Sequence, residues 1–378
     1  QLVSTMVNSN QAGALTGIHE AWGEAFLNDN WSLKFGRQEI SYDDQRIFGS
    51  VGWAQQARSH DALMFKFKKD GMLIDVAGAY NQDAAGLIGT SALQGSYKAF
   101  QSVWLHKDIS DNLQSSLLFL NNGKQVNYNL DTLGNPQSFH DNYTQTIGTH
   151  TKLKKDKLNI IFNGYYQMGS INTLPAKSLS AYLVGLDILY KISDNFTALA
   201  GFEMQSGNSQ TDTTTSYTGV EHAFSPFYGT NHKFNGLMDY FYVGNWSSTV
   251  GLQDIYFKLK YKKEKTFVGA DVHFFSAASD VLNTLDVDSL GGYNYSTLSK
   301  GLGTEIDLSF GAEISKGVTL KAGYSHMLPS ATLASLKGAV YNAGDDLGMG
   351  RVDQISNWAY VMIIIKPTFF TTKKENKE

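Results

Sequence analysis

The sequence has no cysteine, five prolines and only four arginines among 378 residues. It also lacks a long apolar run. The longest stretch, around Ala359 to Ile365, falls far short of the roughly 18–20 residues that a membrane-spanning helix needs. Without cysteine there is no disulfide scaffold and no thiol nucleophile. A mean hydropathy of −0.25 excludes a bundle of lipid-embedded helices. The formal net charge of −4 leaves no basic face for nucleic acid, so no such partner is expected. No leader is visible at Gln1; an exported chain would be numbered after its removal. What is abundant is glycine, with 36 residues, and aromatics, with 20 Tyr and 22 Phe.

The periodicity is two. Ile306, Leu308, Phe310, Ala312 and Ile314 alternate with Glu305, Asp307, Ser309, Gly311 and Glu313. Ile255, Phe257, Leu259 and Tyr261 alternate with Tyr256, Lys258, Lys260 and Lys262. Such runs predict strands with one apolar and one different face. At about ten residues each they match tilted bilayer-crossing strands, and they exceed the usual five or six of soluble sheets.

The connections are of two kinds that alternate along the chain. Short polar turns fall at 28–30, 69–71, 108–112, 154–157, 193–195, 262–265 and 315–317. Longer ones fall at 41–59, 82–96, 121–142, 169–178, 207–248, 278–302 and 328–356. Tight periplasmic turns alternating with long outer loops predict an all-β, transmembrane, antiparallel up-and-down barrel over residues 1–370. Seven hairpins, a first strand near Leu2 to Ser9 and a last at Trp358 to Phe369 make 16 strands. The segment 207–248 is long enough to hold a further hairpin. A polar tail, 371–378, follows. A soluble β-sandwich has no reason to alternate long and short connections in this way. Tyrosines such as Tyr80, Tyr143, Tyr166, Tyr190 and Tyr324 sit near predicted strand ends, where a membrane interface favours them.

Three of the four arginines crowd into "GRQEISYDDQRIFGSVGWAQQAR", Gly36 to Arg58. The 41–59 loop within this stretch carries paired carboxylates, glycines that permit sharp turns, and a tryptophan. Arg–carboxylate pairing would let such a loop fold inward into a polar lumen. The expected constriction residues are Arg37, Glu39, Asp43, Asp44, Arg46, Arg58 and Asp61. Between Arg37 and Asp61 three arginines face four carboxylates, a balance of −1. Arg46, mid-loop, is expected to pair with Asp43, Asp44 or Asp61. The bland reading of these arginines is an ion-pair network that pins the loop; the sharper one is contact with a solute. Phe224, Phe227, Tyr228, Phe234, Leu237, Met238 and Tyr240 make 207–248 too apolar for a free outer loop, so it too is expected to fold inward.

These residues resemble the alginate export family of outer-membrane porins. The resemblance rests on Gly36-Arg37-Gln38-Glu39, Tyr42, Asp44, Arg46, Gly49, Trp53, Arg58 and Asp61, and on "FYGTNHKFNGLMDYF", Phe227 to Phe241. Within the second block Asn231, His232, Lys233 and Phe234 are the expected plug. The two blocks cover about an eighth of the chain. The resemblance implies an outer-membrane barrel of 18 strands with a charged lumen. It also implies passive passage of a polar solute, an anionic polysaccharide in the founding case. The local balance of −1 does not supply the positive excess that an anionic cargo needs. The expected partners are outer-membrane lipid, a polar solute or oligosaccharide, and other outer-membrane proteins if the barrel is instead a blocked structural subunit.

No cofactor or catalytic activity is expected. His273 with Asp271 reads as a lumen-facing polar pair. His222 and His232 with Glu221 and Asp239 match no standard metal spacing. Asp280, Asp286, Asp288 and Asp345-Asp346 read as solvated turns in preference to calcium ligands.

Overall fold

The computed structural model describes residues 2–6, 15–54, 57–81, 97–130, 136–171, 177–241, 246, 248–338 and 356–366. Its strands are β1 (Leu2–Met6), β2 (Leu15–Ile18), β3 (Ala21–Phe26), β4 (Trp31–Gln38), β5 (His60–Lys69), β6 (Met72–Tyr80), β7 (Ala99–Ser110), β8 (Leu113–Leu130) and β9 (Pro136–Lys155). There follow β10 (Leu158–Ile171), β11 (Lys177–Lys191), β12 (Phe196–Gln205), β13 (Val220–Glu221), β14 (Leu252–Lys263), β15 (Thr266–Ser276), β16 (Gly301–Ser315), β17 (Val318–Pro329) and β18 (Ser356–Ile365). Two short helices, α1 (Thr215–Thr218) and α2 (Ala331–Leu336), lie in long connections. Among the described residues no helix is long and apolar enough to cross a membrane.

Fifteen strands, β3 to β12 and β14 to β18, form one antiparallel meander in which each pairs with the next in chain order. The two-residue β13 pairs parallel to β11 and brings the sheet to sixteen strands. β1 and β2 pair separately, and only His19 and Glu20 separate β2 from β3. Among the described residues the ladder ends at β3 and β18 and is not closed between them.

All seven predicted short turns join neighbouring strands. At Asp70-Gly71 both residues take positive φ, 48° and 69°, as a tight two-residue hairpin turn requires. Two predicted long loops shrink. β8 and β9 pair from Leu113 out to Leu130, and β10 and β11 pair out to Ile171 and Lys177. The polar residues there form cross-strand rows. Asn121 donates to Gln101 at 2.7 Å and Gln145 donates to Asn121 at 2.8 Å, so three strands share amide pairs. The 207–248 segment holds no antiparallel hairpin among its described residues. It contains α1, β13 and a 3₁₀ turn at Asn231–Lys233. The extra strands that 18 would need are therefore not found there. The expected loop 82–96 and tail 371–378 lie outside the described residues.

The sheet is inside-out compared with a soluble protein. Phe257, Leu259 and Leu308 are 46–50% exposed, whereas Asp254 and Glu305 are fully buried. Along Glu305 to Phe310 of β16 the exposed residues are Ile306, Leu308 and Phe310, and the buried ones are Glu305 and Asp307. The period-two pattern thus divides an apolar outer face from an inner face, mixed polar and apolar, covered by loops.

Candidate functional site

Four residues of the 39–59 connection contact wall strands in succession. The Tyr42 ring stacks on Trp104, centroids 4.5 Å apart and 8° from parallel, and its hydroxyl donates to Asp75 of β6 at 3.0 Å. Burial pushes the Tyr42 phenol well above its ordinary pKa. Asp43 accepts from Trp104 Nε1 of β7 at 3.1 Å and from Ser116 of β8 at 2.6 Å. Asp44 accepts from Asn163 Nδ2 of β10 at 2.7 Å and from the Arg46 amide at 3.1 Å. Arg46 is 2% exposed; its guanidinium pairs with Glu203 of β12 and lies 3.6 Å over the Phe234 ring. Burial lowers the Arg46 pKa to about 10, so it stays charged at neutral pH. Between Tyr42 and Arg46 the partner strand advances from β6 to β12. A sheet can meet so short a segment from so many strands only by curving round it. Asp43 and Gln45 take left-handed backbone, φ 53° and 71°, at a cost of about 1–3 kcal/mol each that these contacts must offset.

The 224–241 segment makes the same circuit further along the wall. Tyr228 donates to Asn122 of β8, and Ser225 exchanges hydrogen bonds with Gln167 of β10 at 2.7 and 2.9 Å. Asn235 donates to Glu203 at 3.0 Å and to Asp254 of β14 at 3.3 Å. The Leu237 and Met238 amides donate to Glu305 of β16 at 2.7 and 2.9 Å. The Tyr240 hydroxyl reaches Ser356 of β18.

The two segments interlock. Tyr228 N donates to Ile47 O at 3.0 Å, Gly49 N to Tyr228 O at 2.9 Å, and Thr230 N to Gln45 O at 2.9 Å. Arg58 donates to Gly229 O and Lys233 to Asp44 O, both at 2.9 Å. Trp53 packs on His232 with centroids 4.2 Å apart. At the crossing a Cβ on Gly49 would lie 2.7 Å from Thr230 N, and one on Gly229 would lie 2.9 Å from Arg46 C. Only glycine allows so close an approach. The parts of these segments between the strands are therefore one body in space, a partition across the concave face.

A cavity lies on each side of it. One, of about 420 Å³, opens at the short-turn end and is lined by Lys34, Glu39, Tyr42, Lys66, Asp75 and Trp104. The other, of about 290 Å³ toward the long loops, has Arg46 in its lining beside Asn122, Lys124, Gln167, Phe224 and Trp246.

Asp43, Asp44, Arg46, Arg58, Lys233 and Phe234 meet in the partition. Asn231 lines the 290 Å³ cavity, and His232 pairs with Asp239 at 2.9 Å. Glu39 binds His19 at 2.7 Å beside the other cavity. Arg37 and Asp61 are a different matter. They face each other across β4 and β5 and form a bidentate pair at 2.8 Å, 44% and 57% exposed. Their alternation puts them on the outer face with Phe35 and Leu63, not on the concave one. Arg46 pairs with none of the three aspartates expected of it. Its partner, Glu203, stands at a polar position of β12 that nothing local distinguishes. His273 pairs with Asp254 at 2.8 Å in place of Asp271, because adjacent strands bring that carboxylate diagonally against the ring. Asp271 pairs with Lys258 at 3.3 Å. Asp254, Glu305 and Asp307 complete a buried polar layer on β12 to β16 that alternation marked as inward but not as a cluster. Among the described residues no three His, Asp or Glu groups are placed to hold a metal ion.

Solved structures share this architecture. Pseudomonas aeruginosa OccK10 (OpdN) superposes with a TM-score of 0.55 at 9% identity, covering 95% of this chain and 85% of that one. The fold is porin-like. Acinetobacter baumannii OccAB1 gives 0.52 at 9% identity over 89% of this chain and 74% of its own. The outer membrane protein OprD of P. aeruginosa gives 0.50 at 12% identity over 88% and 74%. At such identities the likeness is one of fold, a distant structural relationship to outer-membrane porin barrels. No family model and no curated protein matches the chain.

Proposed function

We propose that the protein is an outer-membrane channel for passive passage of polar solutes, with the interlocked 41–59 and 224–241 segments as its constriction. The observation that carries this is the partition itself. Outward apolar faces of the strands would face lipid, an inner face with many polar groups borders two cavities, and a loop body held by the wall divides them. The porin-like fold supports the same reading.

The finer reading is the alginate-export kind of channel. The contact between its two sequence blocks supports it. The charge does not support an anionic polysaccharide as cargo, since Arg46 is matched by Glu203 and Arg37 by Asp61 on the other face. The density of the partition supports a second reading, a structural barrel subunit with a blocked lumen. Conductance of the purified protein in a planar bilayer separates the two. An open channel whose conductance rises on deletion of 224–235 is the expected result. A silent bilayer with a correctly folded protein would sink the channel reading and leave the structural one.

A further inference from the structure

We infer that the 290 Å³ cavity is a binding subsite for a neutral, polyhydroxylated solute of about one sugar ring. The inference rests on the channel reading above but names a site and a ligand class of its own.

Six carboxamides line the cavity: Asn122, Asn142, Gln167, Gln205, Asn231 and Asn235. The ionic side chains in the lining are Arg46, Lys124 and Glu221; Arg46 is neutralised by Glu203 from outside the lining, and Lys124 and Glu221 are opposite in sign. An anionic solute would therefore bring an unmatched charge into a confined site, which is costly. A carboxamide carries a donor and an acceptor, and a hydroxyl both donates and accepts, so hydroxyls match an amide lining; a carboxylate only accepts and leaves amide oxygens unmatched.

The rest of the lining suits a ring. Phe224, Phe241 and Trp246 bring aromatic surface to the same cavity. The faces of a pyranose are rows of C–H groups, and its rim is hydroxyl. Aromatic faces with an amide rim match both parts. The volume sits at the small end of the roughly 300–1,000 Å³ usual for ligand pockets, which limits the occupant to about one ring at a time.

The test uses the full-length protein in planar bilayers, with methyl glucoside and glucuronate as probes at equal ionic strength. Methyl glucoside should produce transient current blockades whose frequency rises with concentration. Glucuronate should need at least about tenfold more to do the same. Asn231→Leu should raise the half-blocking concentration of methyl glucoside about tenfold, and Asn231→Gln should recover most of it. Equal blockade by glucuronate, or an unchanged response in Asn231→Leu, overturns the inference and leaves the channel reading standing. If no channel conducts, equilibrium dialysis of labelled methyl glucoside against detergent-solubilised protein decides. Binding that Asn231→Leu weakens upholds the subsite, and no binding overturns it.

Discussion

The two walls that hold the partition do so by different chemistry. On the β5 to β11 side a cluster of rings and aliphatic groups supplies much of the contact, beside the hydrogen bonds of Tyr42, Asp43 and Asp44. Phe48, 1% exposed, packs on Phe100, His60 and Tyr228 with centroids 5.4–5.8 Å apart, and Ile40, Tyr42, Ile47, Leu118, Leu120 and Leu183 extend the same cluster. On the β12 to β16 side buried charges take a larger part: Arg46 on Glu203, Asn235 on Glu203 and Asp254, and two backbone amides on Glu305, beside the ring of Phe241 on Phe275. Apolar packing scales with area and is indifferent to direction. A buried ion pair adds little net stability but penalises every arrangement that leaves one member alone. One wall therefore holds the partition, and the other fixes where it stands.

That contrast is open to mutation. Arg46→Ala leaves Glu203 buried with amide donors only and should weaken local docking by about 3–5 kcal/mol. Proteolysis of 41–59 in the folded protein should speed up accordingly, and an open channel should turn more cation-selective in reversal-potential measurements. Replacing the pair together, Arg46→Met with Glu203→Leu, should recover most of the stability, since the ion pair is offset by its own desolvation. If the double variant is as weak as the single one, the two walls do not differ in the way described. Phe48→Ala should cost about 3 kcal/mol by leaving a cavity, with little change in ion selectivity. A shift in selectivity as large as that of Arg46→Ala would erase the distinction.

Lys337, just past α2, tests the upper edge of the ionic wall. Its ammonium donates to Tyr240 O and lies 4.9 Å from the Trp246 ring centre. Burial lowers its pKa from 10.5 to about 8. Between these values the unfolded chain binds more protons, so stability should rise with pH there, and below about pH 8 the cost of burying the charge is fully present. Thermal midpoints from pH 8 to 10 should show this slope in the native protein and not in Lys337→Met. The smallest effect belongs to Arg37→Ala. Its exposed pair with Asp61 should be worth less than about 1 kcal/mol and fade in salt, as a thermal melt at two ionic strengths would show.

The strands were legible in the sequence because their physics is local. Alternation at Glu305 to Ile314 and turn residues such as Asp70-Gly71 act within a few positions. That 41–59 and 224–241 carry groups needing partners was legible for a related reason: paired charges and exposed-looking aromatics have to be matched or buried somewhere. The pairings themselves were not. Arg46 chooses Glu203 because the sheet curves, and curvature is no property of a segment. Arg37 looked like a member of the constriction by sequence proximity, yet a period-two strand sends it to the face opposite Gln38. The lengths of β8 and β9 were underestimated because polar residues paired across strands look the same in sequence as polar residues in a loop.

The interlock also orders events in time. Gln45 and Thr230 are 185 residues apart, and Arg46 and Glu203 are 157 apart. Each wall strand, by contrast, pairs with its immediate neighbour. Contacts between distant residues pay their loop-closure entropy late, so the wall can zip up hairpin by hairpin long before its interior is complete. The first long loop finds part of its seat on β6 to β10, but its ion pair and its crossing wait for β12 and the segment after it. Much of the sheet can therefore be in place before the two segments can lock together.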